Sequence, residues 1–302
     1  MKLAAIIQAR SNSSRLKNKM SLELSHNKKI FEWVLIRAIR SKKIKNFILA
    51  TTNNKRDKIL IKIAKKYNLK IFKGKENDVL NRFYECSKKF KIDNIVRICA
   101  DNPLIDSDEL DKLVNYFSKH KPDYAYNTMK TKDNFNSDGF GAEILNFKTL
   151  KETNFLAKKK KEREHVTQFI RNNKNLFKIE CLNPSRGLNF PYLNFDVNTS
   201  SNLKKIKNVI SKQKINFNTP AKKIVKSLLT SEIDLYLKKL FPLNRSLTGE
   251  GNIKTLKEIN NITKIKIKKI QSGKKVYDWT VPKEWIVKEA WIKDLHSKKK
   301  II

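Results

Sequence analysis

Apolar and polar positions follow two distinct rhythms through the first half of the chain. Short, nearly continuous apolar runs occur at Leu3 to Gln8, Asn46 to Thr51, Lys70 to Lys73, Asn94 to Cys99 and Tyr124 to Asn127. Runs of this kind are the mark of strands covered on both faces, as in a parallel sheet. Between them the apolar positions recur with the helical period, at Ile30 to Arg40, Lys55 to Tyr67, Asp78 to Phe90 and Ser107 to Lys119. Asp106 or Ser107 is the N-cap of the last, and acidic residues fill its first turn. Strand and helix in strict alternation predict βαβ units, hence an α/β fold with a doubly wound, mainly parallel sheet. From Asn134 to Asn198 the pattern loosens around Pro184 and Pro191, as in a lobe that covers a substrate, with a last core strand at Tyr192 to Val197. Leu203 to Ile210 reads as a helix, and the Lys-rich stretch around Pro220 puts a boundary near Thr230. The expected organisation is a domain over residues 1–230 and a small α+β appendage over 231–302.

Composition narrows this picture. The 302 residues carry a net charge of +38, from 67 Lys and Arg against 29 Asp and Glu, but the lysines are spread over every helical segment. No basic stripe interleaved with aromatics accompanies them, so the charge reads as a solvated surface that binds RNA nonspecifically at low salt, not as a specific nucleic-acid site. The densest run, Lys158 to Lys161, precedes Arg163-Glu164-His165 and would gather anions there. No apolar run has the roughly 20 residues of a membrane span and no signal-peptide core is present, which places the chain in the cytoplasm. Cys86, Cys99 and Cys181 form no CxxC pair and indicate neither a disulfide framework nor a zinc site.

The chemistry begins where the first apolar run stops, at Gln8-Ala9-Arg10-Ser11-Asn12-Ser13-Ser14-Arg15-Leu16-Lys17-Asn18-Lys19. Ligands of open α/β sheets lie beyond the carboxyl ends of strands. Arg10, Arg15 and Lys19 bring three cations to that place, with hydroxyls and backbone N–H groups suited to phosphate oxygens. The loop is not a P-loop, and with no glycine before Gly74 it is not a dinucleotide fingerprint. A triphosphate site and a solvated basic turn both remain open on these residues alone.

The stretch Ile6-Ile7-Gln8-Ala9-Arg10 with Ser13-Ser14-Arg15-Leu16 and Lys19 resembles the opening signature of the nucleotide-sugar cytidylyltransferases. It is most similar to the spore-coat polysaccharide branch, related to the enzymes that make CMP-activated ulosonic and sialic acids. That pattern usually has Gly at position 12 and Pro-Gly at 17–18, where this chain has Asn12 and Lys17-Asn18. The resemblance implies a nucleotidyltransferase that joins CTP to a sugar acid or modified sugar and releases pyrophosphate. Gln8, Arg10, Ser13, Arg15, Lys19, Thr52 and Arg82 would bind the nucleotide, with Arg10, Lys19 and Asp101 acting in catalysis. A homodimer is the assembly it implies.

Such chemistry needs a divalent cation, and the resemblance implies Mg²⁺. Asp101 follows a buried strand and precedes Pro103-Leu104, matching the family's metal aspartate, although Asp-Asn-Pro is also an ordinary turn. Asp196 and Asn198, two apart on the expected last strand, share a face and match an aspartate-x-aspartate ending in which Asn198 is the neutral member. Sugar recognition would fall to Asp138 and Glu143, around Gly139 and Gly141 that let backbone approach a ligand, and to Arg163, Glu164 and His165. Arg163 would bind a substrate carboxylate. Two other readings stand beside this one: the same fold using GTP or UTP, because Thr51-Thr52-Asn53 specifies no base, and an inactive or RNA-associated binding protein. The tail stretches Leu240 to Gly249 and Val276 to Trp285 resemble the opening of an aminopeptidase-like domain of polysaccharide loci. A lone His296 cannot supply a three-ligand metal site, so no peptidase activity is expected.

Overall fold

A computed structural model describes residues 2–11, 15–128, 136–243 and 249–283. Asn12, Ser13 and Ser14, the stretch 244–248, and Trp285 and His296 lie outside the described residues. In chain order, β1 (Leu3–Gln8) leads through a 3₁₀ turn at Lys19–Ser21 to a hairpin of β2 (Glu23–Ser25) and β3 (Lys28–Lys29). Then come α1 (Ile30–Ala38), β4 (Phe47–Thr52), α2 (Lys58–Lys66), β5 (Lys70–Gly74), α3 (Val79–Phe90), β6 (Asn94–Cys99) and α4 (Ser107–His120). The less regular part adds β7 (Tyr124–Tyr126), β8 (Glu143–Asn146), α5 (Phe147–Leu156), α6 (Lys160–Glu164), α7 (Gln168–Asn172), β9 (Ile179–Cys181), α8 (Ser200–Lys212) and α9 (Ala221–Leu240).

The expected strands and helices of the first half are thus all present, with ends shifted by a few residues. They build a seven-stranded sheet of order β5-β4-β1-β6-β8-β7-β9, in which only β8 runs against the rest. Ala4, Ala5, Ile6 and Ile7 are all fully buried, because β1 lies between β4 and β6 and has helices on both faces. One face packs Ile6, Ile48 and Ile95 against Leu80, Phe83 and Ile170. The chain leaves β1 toward β4 and β5, then returns to β6 on the other side. The sheet therefore reverses its winding between β1 and β6, and the loops after these two strands flank the crevice where such folds hold ligands.

Helix ends obey local chemistry. Asp106 caps α4 by accepting from the backbone N–H groups of Asp108 (3.0 Å) and Glu109 (3.2 Å), and its other oxygen accepts from Ala221 at the start of α9 (2.8 Å). Asp78 caps α3 through the Asn81 N–H at 3.0 Å.

One expected strand does not form. Tyr192 to Val197 makes a single bridge, Asp138 to Asn194, in place of a ladder. Pro191 has no N–H to donate at the start of the segment, and the Asn194 side chain accepts from the Asp196 N–H (2.8 Å), an Asx turn that bends the chain out of extended pairing. The segment is tied down instead by Val197 N–H on the Asp101 carbonyl at 2.8 Å.

The chain divides into two compact units, residues 1–228 and 229–302. In the second unit, α10 (Glu250–Ile262) buries no residue, and β10 (Lys275–Val276) pairs antiparallel with β11 (Trp279–Thr280). No helix among the described residues is long and apolar enough to cross a membrane.

Candidate active site

A cavity of about 390 Å³ opens at the crevice between β1 and β6. Its walls come from four places: Gln8, Ala9, Arg10, Arg15, Lys19 and Met20 at and after the end of β1; Val79 at the start of α3; Arg97, Cys99, Ala100 and Asp101 at the end of β6; Glu164 and His165 at the end of α6. These segments are far apart in sequence, and the sheet's switch point brings them to one volume.

Lys19, only 6% exposed, donates to Asp101 Oδ2 at 3.2 Å and to Asn198 Oδ1 at 3.5 Å. Asn198 Nδ2 in turn donates to Asp196 Oδ2. Burial, followed by the negative charges of Asp101 and Asp138, pushes the Asp196 carboxyl above its ordinary value. The negative charge of Asp101 and Asp138 around the half-buried Asp196 is of the kind a cation offsets. Among the described residues no group of three or more His, Cys, Asp or Glu gathers as a metal cluster. Two carboxylates and an amide oxygen nonetheless suit Mg²⁺, which takes one or two carboxylates and completes its shell with water and substrate phosphates.

Arg10 reaches across the cavity, with Nη2 3.7 Å from Glu164 Oε1 and Nη1 donating to the Glu76 carbonyl at 3.4 Å. The loop that carries it is braced from below by Asp57, which accepts from Ser11 N–H (2.7 Å), Thr51 Oγ1 (2.8 Å) and Thr52 Oγ1 (2.6 Å). Burial alone would raise the Asp57 carboxyl, but the hydrogen bonds from Thr52, Ser11 and Thr51 outweigh it and hold the value below the ordinary one. Burial lowers the His165 imidazole, and Arg97, Arg171 and Lys161 add to this against the opposing charge of Glu164.

Several expected site residues have other partners. Thr52 does not line the cavity; its hydroxyl is given to Asp57. Arg82 is 1% exposed behind the wall and donates to the Lys75 carbonyl at 2.9 Å, leaving Nε and Nη2 without hydrogen-bond partners. Burial and then Arg10 bring its guanidinium down to about 10, against the pull of Asp57, Glu76 and Asp78. Arg163 has every donor engaged: Nε and Nη2 hold Asp78 at 3.0 and 2.7 Å, Nη2 also takes Asn154 Oδ1 at 2.9 Å, and Nη1 takes the carbonyls of Asn154 (2.7 Å) and Ala157 (3.4 Å). It fastens α6 to the start of α3, so it has no donor left for a substrate carboxylate. Glu143 is 1% exposed and accepts from Arg97, Tyr124, Thr167 and Arg171, so it supports the floor instead of meeting a sugar. Asp138 accepts from Thr128 Oγ1 at 2.6 Å and sits beside Asp196. The two glycines serve close packing of the chain on itself: a Cβ at Gly139 would stand 2.8 Å from Phe195 Cβ, and one at Gly141 would stand 2.2 Å from the Asn127 carbonyl oxygen.

Arg97 and Asp57 were missed in the sequence. A charge inside the otherwise apolar run Asn94 to Cys99 is a signal for the first; nothing local distinguishes Asp57 from a helix-start carboxylate.

Residues 4–244 match the family model described as Cytidylyltransferase. The chain belongs to the cytidylyltransferase family. Among its relatives, an uncharacterised protein of Methanocaldococcus jannaschii is 39% identical over 204 residues, 68% of this chain and 81% of that one. The spore coat polysaccharide biosynthesis protein SpsF of Bacillus subtilis is 28% identical over 213 residues, 68% of this chain and 85% of that one. A solved cytidylyltransferase from Leptospira borgpetersenii superposes with a TM-score of 0.71 at 26% identity, covering 77% of this chain and 96% of that one. The cytidylyltransferase fold thus carries the cavity described above. Residues 235–297 match a model described as Domain of unknown function (DUF4910). A putative polysaccharide biosynthesis protein with aminopeptidase-like domain from Clostridium acetobutylicum is 43% identical over 70 residues, 23% of this chain and 16% of that one.

Proposed function

We propose that this cytidylyltransferase transfers the cytidylyl group of CTP to an oxygen of a sugar acid or modified sugar, forming a CMP-sugar and pyrophosphate for surface polysaccharide. The observation that carries the reading is the meeting of Lys19, Asp101, Asn198 and Asp196 beside the Arg10 and Arg15 loop at the sheet's switch point. Arg10, Arg15 and Lys19 would hold the triphosphate, and Gln8 would contact the nucleotide from the floor. Arg82, behind the wall, would act by fixing the backbone at Lys75 and Glu76 that Arg10 also grips. Asp101, Asp196 and Asn198 would hold Mg²⁺, which would neutralise charge on the α-phosphate and on the leaving pyrophosphate. As the sugar oxygen attacks the α-phosphorus in line, Lys19 would follow the charge that grows on the departing oxygens. His165, whose charged form is disfavoured by burial, would orient the acceptor together with Glu164.

Binding of CTP, GTP, UTP and ATP with Mg²⁺, for the parent chain and Asp101→Ala, tests this. Mg²⁺-dependent binding confined to CTP and abolished by the substitution supports the reading. Equal, weak binding of all four that vanishes with salt would mean a generic anion surface.

A further inference from the structure

Phe155 is 73% exposed, and Leu156 beside it 37%, at the last turn of α5. Among the described residues of the first unit, no other large apolar side chain is as exposed as Phe155. A lone exposed apolar residue is ordinary, but two neighbours held on a stiff support are not. The support here is stiff. Arg163 Nη1 donates to the carbonyls of Asn154 (2.7 Å) and Ala157 (3.4 Å), on either side of the pair, while Nε and Nη2 hold Asp78. The Ala157 N–H closes α5 on the Thr153 carbonyl at 2.9 Å, and Thr153 and Ala157 are themselves buried. The two apolar side chains are therefore held out of the core. Around them, Lys148, Lys151 and Lys158 to Lys161 are all exposed, and Glu152 is the one acidic residue at positions 148–161. Lys148, Lys151 and Phe155 are three and four residues apart on one face of α5, and Lys158 Nζ stands 5.2 Å from the centre of the Phe155 ring. The result is an apolar knob ringed by ammonium groups.

We propose that the turn between α5 and α6 is a docking surface for an anionic lipid bilayer, Phe155 and Leu156 entering the boundary between headgroups and acyl chains while the lysines meet lipid phosphates. The inference goes beyond the nucleotidyltransferase reading and does not depend on it. Charge complementarity selects the occupant: a surface that is apolar at its centre and cationic at its rim matches a bilayer that is apolar within and anionic at its face. Lysine suits such a rim, because its stem lies along hydrocarbon while its ammonium stays in the phosphate layer. A second copy of this chain would set +38 against +38. Nucleic acid would answer the lysines, but Leu156 offers no ring on which a base could stack. The lysines lead into α6, which ends at Glu164 and His165 in the cavity wall, so the docked turn would hold the cavity beside the lipid surface.

The test is flotation of the full chain with vesicles of phosphatidylcholine alone, and of phosphatidylcholine with about 30% phosphatidylglycerol, at about 150 mM salt. The parent should partition onto the anionic vesicles and not onto phosphatidylcholine. Phe155→Ser should weaken that partition about tenfold, the scale of one aromatic side chain leaving an apolar boundary. Lys158→Gln/Lys159→Gln/Lys160→Gln/Lys161→Gln should weaken it at least about 30-fold. The matched variant Lys204→Gln/Lys205→Gln/Lys207→Gln/Lys212→Gln lies on α8, whose described residues expose no large apolar side chain, and should stay within about threefold of the parent. Every substituted side chain is exposed, so the variants should melt near the parent temperature. The inference is overturned if anionic vesicles do not bind the parent, if Phe155→Ser binds as the parent does, or if the two lysine variants fall alike, which would mean that net charge acts without the turn. Loss of short single-stranded RNA by the turn variants, with vesicle binding kept, would assign the surface to nucleic acid and overturn it as well.

Discussion

Lys19 Nζ lies 3.2 Å from Asp101 Oδ2 across a separation of 82 residues in the chain. The contact joins the loop after β1 to the loop after β6, which are neighbours only because these strands pair in parallel, Gln8 opposite Cys99. The same ammonium also donates to Asn198 Oδ1, whose amide group donates to Asp196, so one cation gathers the group before any substrate arrives.

Lys19→Met keeps the length of the side chain and removes its charge. CTP-dependent pyrophosphate release should fall about 100-fold, the scale of losing one preorganised charge on the developing oxyanions. Circular dichroism should be unchanged. Activity within threefold of the parent would remove Lys19 from the proposed machinery.

Asp57→Asn should loosen the loop that carries Arg10, because four donors, the N–H groups of Ser11 and Thr52 and the hydroxyls of Thr51 and Thr52, lose a charged acceptor. The native Asp57 value lies below its unfolded one, so the carboxylate contributes stability above the unfolded value and loses it as pH falls through the native value. Urea unfolding at neutral pH should show a loss of about 1–3 kcal/mol. The gap between parent and variant should close on acidification below the ordinary carboxylate range; a gap independent of pH would show that the charge plays no part.

Arg163→Ala should lower stability and leave substrate affinities nearly intact, since every donor of this arginine serves the protein. Because the pair with Asp78 is partly exposed, at 19% and 28%, the loss should be about 1–3 kcal/mol, below that of a fully buried pair. Arg163→Lys should not restore it, because an ammonium cannot reproduce the fork. A large rise in the acceptor KM with unchanged melting temperature would return Arg163 to the substrate.

Glu164→Gln should tighten CTP binding by up to about fivefold at low salt, for its carboxylate competes with phosphate for Arg10 across 3.7 Å. The effect should fade as ionic strength rises, since Glu164 is half exposed. Isothermal titration at two salt concentrations measures both. Weaker CTP binding in the variant would mean that Glu164 positions Arg10 and does not compete with the nucleotide.

The elements of the sheet's first half were legible because a strand covered on both faces requires a continuous apolar run, and Ala4 to Ile7 supply it. The cationic loop was legible for a related reason, as the abrupt change at Gln8 marks where the strand emerges from the core. Tyr192 to Val197 misled because its alternation suits a strand, while the Asn194 side chain satisfies the Asp196 N–H locally and removes it from any ladder. Gly139 and Gly141 misled similarly: small residues mark a close approach, but the pattern does not say whether the approaching group is a ligand or, as here, Phe195 and Asn127.

By itself, then, the sequence determined the α/β alternation, a helix start at Asp106 or Ser107, and the strand-end positions of Arg10, Arg15, Lys19 and Asp101, all consequences of spacing within one segment. Only the tertiary structure decided which charges meet. Arg163 and Arg97 are both arginines among plausible neighbours in the chain, yet packing saturates the first with Asp78 and Asn154 and sets the second against Glu143 at the floor of a cavity. The physical reason is that backbone periodicity is local, whereas the partners of a charge are set by burial and by contacts tens of residues away in the chain.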